Sequence, residues 1–241
     1  MERTTTLKKI WKPSLADAMI ILFAILAAVG LKYHYSRAST DHLNWILAPT
    51  VESVELLSGI TFERETHSGY INRAHRVIIA KSCAGINFLI IAFCMLIFSR
   101  VRQAKTVGAK IFLFIKSAII AYLLTIMVNA LRIITAMVLF ESNIYGGWLT
   151  RERVHRIAGT ALYFFFLCLL YLVMVRKPGK KMQTPLLWYL LVTLLVPLIR
   201  RLFAGNLSGF FEHSIVVILI SMIILLLFLL FRSIARGVKR I

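Results

Sequence analysis

The chain has 241 residues, 59% of them hydrophobic, and a formal net charge of +19. A soluble domain of this size is about half apolar with its charges dispersed; here apolar blocks alternate with short basic clusters, the pattern of a polytopic helical membrane protein. The excess of 29 Lys and Arg over 10 Asp and Glu therefore reads as membrane-flanking charge. No RNA- or DNA-binding module is visible, so no nucleic-acid partner is expected.

Six stretches meet the requirement of roughly 20 apolar helical residues for a hydrocarbon core of about 30 Å. The first, about 14–33, follows Arg3, Lys8, Lys9 and Lys12. Its Ala28-Val29-Gly30 run is similar to a signal-peptide cleavage site, but the apolar region is longer than such a peptide needs, so it reads as a retained anchor. A loop of about 34–82 comes next and is the one sizeable extramembrane piece. Within it, Leu43, Ile46, Leu47, Val51, Val54 and Leu57 are spaced three or four apart and predict an amphipathic helix over 42–58, lying in the membrane interface or covering a cleft. Gly59 and Gly69 punctuate the stretch after that helix, and Arg76-Val77-Ile78-Ile79-Ala80 reads as a strand.

The second span, about 83–99, is separated from the third, about 111–139, by Arg100, Arg102, Lys105 and Lys110. The fourth, about 157–175, leads into Arg176, Lys177, Lys180 and Lys181. The fifth (about 185–202) and sixth (about 213–231) complete the set, followed by Arg232, Arg236, Lys239 and Arg240. The positive-inside rule places these clusters and both termini in the cytoplasm. The opposite loops hold Asp41, Glu52, Glu55, Glu63, Glu65, Glu141, Glu152 and Glu212. All six histidines (His34, His42, His67, His75, His155 and His213) fall on or near that side. With no internal repeat, residues 1–241 form one all-α membrane domain. It is expected in the cell membrane, in contact with lipid.

Three ionisable residues stand at span ends on the outer face. Cys83 has a polar setting, with Lys81 and Ser82 before it and Gly85 after it, whereas Cys94 and Cys168 sit inside apolar stretches. A helix start and a nearby cation favour thiolate, and Gly85 permits close approach of a ligand. Taken alone, Cys83 reads as a small residue at a helix start; its company singles it out. Arg132 lies three residues after Asn129, on one helix face of the third span. An arginine in an apolar helix is costly and turns inward, where it stabilises an oxyanion or binds a carboxylate; the alternative is snorkelling to headgroups. His155 opens the fourth span, is suited to act as a general base on a thiol, and has Glu152 three residues earlier to orient the ring. Arg200 and Arg201 read as headgroup contacts. There is no H-E-x-x-H or C-x-x-C and no mid-span histidine for haem, so neither a metal nor a cofactor is expected; the alternative of another intramembrane hydrolase working through serine finds no G-x-S-x-G.

The runs Cys83-Ala84-Gly85-Ile86 and Asn129-Ala130-Leu131-Arg132-Ile133, with His155 and Gly159 after them, resemble the exosortase/archaeosortase family of membrane cysteine transpeptidases, in the family's order and over about residues 45–175. The Ser-Cys-Ala-Gly-Ile-Asn-Phe run and the short length look most like the compact exosortase K branch. Many members carry Ser or Thr where this chain has Ala84. The resemblance implies Cys83 as nucleophile, His155 as acid/base and Arg132 as the group stabilising the acyl intermediate. It implies substrates that are exported proteins ending in a recognition motif, a hydrophobic helix and a basic tail, with a cell-surface acceptor of unknown kind. The competing reading is a non-enzymatic small transporter or assembly factor, with Arg132 and His155 in a polar pathway.

Overall fold

A computed structural model of the chain describes residues 14–142, 144–147, 149–174, 184–195, 197, 198, 202 and 210–238, excepting the side chains of 212, 213 and 231–238. The basic residues read at 3–12, 176–181, 200, 201, 239 and 240 lie outside the described residues, as do the side chains of Glu212, His213, Arg232 and Arg236. Among the described residues, four helical segments are long and apolar enough to cross a membrane: Leu15–Arg37, Lys81–Gln103, Val107–Glu141 and Arg151–Met174. They correspond to the first four expected spans. The fifth and sixth coincide with two shorter apolar stretches, Thr184–Leu195 and Ser214–Leu230.

Helix α3 (Ile86–Arg100) is the core of the bundle. From Ile86 to Ile97 every side chain except Asn87 is buried, because the sequence there is apolar all round and leaves no face for water. Around it stand α1 (Leu15–Arg37), α4 (Val107–Glu141), α5 (Arg151–Met174) and α6 (Thr184–Leu190). Helix α7 (Phe210–Val238) packs on α5 and α6. The outward faces stay apolar: Leu22, Phe23 and Leu26 on α1, Ile111, Phe112 and Ile115 on α4, and Leu219, Ile223 and Leu226 on α7 are all exposed. Such contiguous apolar surface suits lipid rather than water. Helix α4, at 35 residues, is about 50 Å long and exceeds a bilayer core of about 30 Å. At its start Lys110 is not a free flanking charge. Its Nζ lies 2.8 Å from Asp17 Oδ1, with both side chains largely buried, and tethers α4 to the capped start of α1.

The 34–82 region is folded rather than loop-like. Its helix, α2 (Asn44–Ser58), buries Ile46, Leu47, Val51 and Val54 and packs on α4. The expected strand is β3 (Val77–Ile79), which joins β1 (Glu63–Glu65) and β2 (Gly69–Asn72) in an antiparallel sheet of order β1-β2-β3. Arg64 faces Tyr70, and Ile71 faces Ile78. Among the described residues the regular structure apart from these short strands is helical. β1 has the sequence Glu-Arg-Glu, with no apolar alternation, so pairing rather than pattern makes it a strand. The sheet is fastened to α2 by Tyr70 Oη donating to Asn44 Oδ1 (2.6 Å) and Phe62 N to Glu55 Oε1 (2.6 Å). His75 Nδ1, 3.2 Å from Glu141 Oε1, ties it to the end of α4.

Pro49 sits inside α2 and cannot donate the amide that would close a turn on the Trp45 carbonyl. Tyr122 of α4 fills the gap: its hydroxyl donates to Trp45 O at 2.7 Å, and the two rings stack with centroids 5.9 Å apart. Tyr122→Phe is expected to lower unfolding stability by about 1 kcal/mol, measured by denaturation in detergent. In a Pro49→Ala background the restored amide takes the carbonyl, so the same substitution has a smaller effect; equal losses in both backgrounds would refute this role.

Candidate functional site

The turn carrying Cys83 is held from two sides. Residues Lys81–Cys83 form a single 3₁₀ turn between β3 and α3, closed by Cys83 N donating to Ala80 O at 2.8 Å. Lys81 Nζ donates to the carbonyls of Ser36 (3.2 Å) and Ala38 (2.7 Å). It thereby caps the C-terminal end of α1, where a cation is favoured. Cys83 therefore precedes α3 instead of beginning it: Gly85 intervenes at φ +68°, and the helix starts at Ile86. The close approach that Gly85 permits is to α4. A Cβ there would stand 3.0 Å from Thr125 Cγ2 and 3.2 Å from Asn129 Cγ, in a backbone conformation that side chains disfavour.

Asn129 lies fully buried on α4. Its Nδ2 donates to the Cys83 carbonyl, and its Oδ1 accepts from the Tyr163 hydroxyl of α5 at 2.8 Å. Tyr163 Oη in turn accepts from Arg132 Nη1 at 3.4 Å, with the guanidinium 5.3 Å from the ring centroid. Arg132 Nη2 donates to His155 Nε2 at 2.9 Å. A chain of polar contacts thus runs from the backbone of Cys83 to the imidazole of His155 across three elements. Gly159 makes room for it, since a Cβ there would lie 2.9 Å from Arg132 Nε. Arg132 is engaged inside the bundle rather than snorkelling. A guanidinium has no acceptor, so the Nε2 facing it carries the lone pair and the ring proton sits on Nδ1.

Two clefts open here. One, of about 330 Å³, is lined by Tyr35, Ser82, Gly85, Asn87 and Tyr163 among others. The second, of about 370 Å³ and mostly apolar, contains Cys83 together with the β3 strand and the C-terminal part of α4. Arg132, Glu152 and His155 border both. Cys83, Arg132 and His155, 49 and 23 residues apart along the chain, therefore share one cleft, with a half-buried thiol. Ser82 Oγ lies 3.9 Å from Cys83 Sγ. Asn129 and Gly85 act on the backbone that carries the thiol. Glu152 does not reach the His155 ring; its carboxylate accepts from Arg156 Nη2 at 2.8 Å, one helical turn on. Among the described residues no group of three or more His, Cys, Asp or Glu is arranged to hold a metal.

Tyr163 is the participant that sequence reading passed over. Its signal was its place: His155, Gly159 and Tyr163 recur every four residues and so share one face of α5. No protein-family profile, curated protein or solved structure matches the chain. Tyr163→Phe is expected to leave Asn129 Oδ1 without its donor and to cost about 1–3 kcal/mol of stability, measured by denaturant unfolding. A loss no larger than that of Tyr122→Phe in the Pro49→Ala background would mean that the hydroxyl is not part of a buried network.

Proposed function

We propose that this chain is a membrane-embedded cysteine transpeptidase of the exosortase/archaeosortase type, closest to the compact exosortase K branch. The observation that carries the reading is that Cys83, Arg132 and His155, from three separate segments, line one cleft. In this reading the chain crosses the cell membrane six times with both termini in the cytoplasm, and the cleft faces the extracytoplasmic side. The substrate is an exported protein whose C-terminal motif is followed by a hydrophobic helix and a basic tail. The helix lies in lipid beside the bundle and holds the motif at the cleft.

At rest, Arg132 occupies the lone pair of His155 Nε2. A substrate carbonyl entering the cleft competes for the guanidinium, freeing Nε2 to take the Cys83 thiol proton. The thiolate adds to the carbonyl carbon, and Arg132 stabilises the oxyanion. Collapse breaks the C–N bond as His155 returns the proton to the departing amine, leaving a thioester on Cys83. An acceptor amine then attacks the thioester with His155 as base, and the thiolate is released and reprotonated. Water in place of the amine gives hydrolysis. Ala84 supplies no hydroxyl, and Ser82, whose Oγ is 3.9 Å from the sulfur, is the nearest alcohol in this turn.

Co-expression with an exported protein bearing such a C-terminal signal tests the reading. Cys83→Ala and Arg132→Ala are expected to abolish processing, and His155→Ala to slow it by about 10²–10⁴-fold, with insertion intact by immunoblot of membranes. Full processing by the Cys83→Ala protein would refute the thiol mechanism. The orientation predicts that a membrane-impermeant maleimide labels Cys83 in intact cells or spheroplasts. Labelling only in inverted vesicles would reverse the topology.

A further inference from the structure

The sheet beside the thiol has an unused edge. β3 is the last strand in the order β1-β2-β3, and among the described residues its backbone pairing is to β2 alone. All three strand residues, Val77, Ile78 and Ile79, line the second cleft, as does Arg76 in the turn before them. Side chains of a strand alternate between faces, so one face would contribute only every other residue; three in succession mean that the strand edge itself borders the cleft. Such an edge offers N–H and C=O groups at a period of two, and an added extended backbone satisfies them. The Val-Ile-Ile sequence carries none of the Lys, Pro or bulge that natural edges use to repel strands. The edge leads directly to Cys83, four residues beyond Ile79 and bordering the same cleft. Two guanidinium groups stand on the rim: Arg76, just before the strand, and Arg151, held over the rings of Phe140 (4.6 Å) and Tyr145 (5.4 Å); the carboxylate of Glu152, which borders the same cleft, is paired with Arg156.

We propose that the free edge of β3 binds the substrate as a fourth strand, taking the extended segment just N-terminal to the scissile bond. This segment is apolar and carries an acidic residue toward the Arg76–Arg151 rim. The inference rests on the transpeptidase reading. In that reading the substrate's C-terminal helix enters lipid, so the stretch left to run along the sheet is the N-terminal one. Main-chain pairing supplies affinity without demanding a long fixed sequence, and the apolar floor of Ile133 and Met137 selects side chains at alternate positions.

The test uses the full chain in lipid nanodiscs and the probe acetyl-Asp-Val-Val-Ala chloromethyl ketone. The Cys83 thiolate displaces chloride from this probe, forming a C–S bond. Alkylation of Cys83 is followed by mass spectrometry and compared with chloroacetamide, each rate normalised to a free thiol. The peptide is expected to react about tenfold faster or more. N-methylation at one set of alternate amides removes that gain, methylation between them leaves it, and Lys in place of Asp reduces it. A gain indifferent to the position of methylation, or no gain at all, overturns edge pairing. The underlying reading fails separately: it is refuted if the Cys83→Ala protein still processes the co-expressed substrate in full.

Discussion

The site end of the molecule depends on one buried amide. Asn129 is fully enclosed where α3, α4 and α5 meet, and a buried amide left unpaired is costly. Its two ends are satisfied by groups from different elements, the Cys83 carbonyl and the Tyr163 hydroxyl. That requirement fixes the turn before α3 against α4, and α5 against both. Gly85 is compelled by the same contact, because any side chain there would press on Asn129 and Thr125. The position of the thiol backbone is thus a consequence of satisfying an amide in an apolar bundle.

Arg132 follows from the same geometry. It shares a face with Asn129, one turn on, so the inward turn of one brings the other. Its charge is met by a tyrosine face and hydroxyl and by an imidazole, with no carboxylate among these partners. A cation held by neutral acceptors keeps most of its field for whatever enters the clefts. The adjacent sheet, pinned by Tyr70 to α2 and by His75 to α4, forms a wall of the cleft that contains the sulfur. Around this polar end the bundle is apolar inside and out, which is the arrangement lipid demands. At the opposite end the buried Asp17–Lys110 ion pair joins the starts of α1 and α4.

Residue by residue, legibility in the sequence tracked how local the physics is. The first four spans were legible because a run of apolar residues needs no partner to be recognised. α2 was legible from its three-and-four spacing, and β3 from its β-branched run. β1 was not, since Glu63-Arg64-Glu65 becomes a strand only by pairing with β2. Glu152 shows the same limit at the site: spacings of three and four both place partners on one face, and the sequence does not say whether it meets His155 or Arg156. The helix geometry gives it to Arg156. Tyr163 was hidden because a tyrosine in an apolar helix ordinarily reads as packing, and its hydroxyl acquires a purpose only beside Asn129 and Arg132. The link from Tyr122 to Trp45 was hidden in the same way, since Pro49 announces a missing donor but not what replaces it.

The sequence by itself determined that this is a helical protein built for a membrane, and which ionisable residues stand at the ends of its apolar segments. Those properties follow from hydropathy and charge counted along the chain. Only the tertiary structure decided that Cys83, Arg132 and His155 line one cleft. It also decided that a tyrosine and an asparagine hold them there, that Cys83 lies in a turn before its helix, and that an open strand edge leads to it. Those depend on which helix faces meet, and that is set by burying polar groups against one another across long separations in the chain.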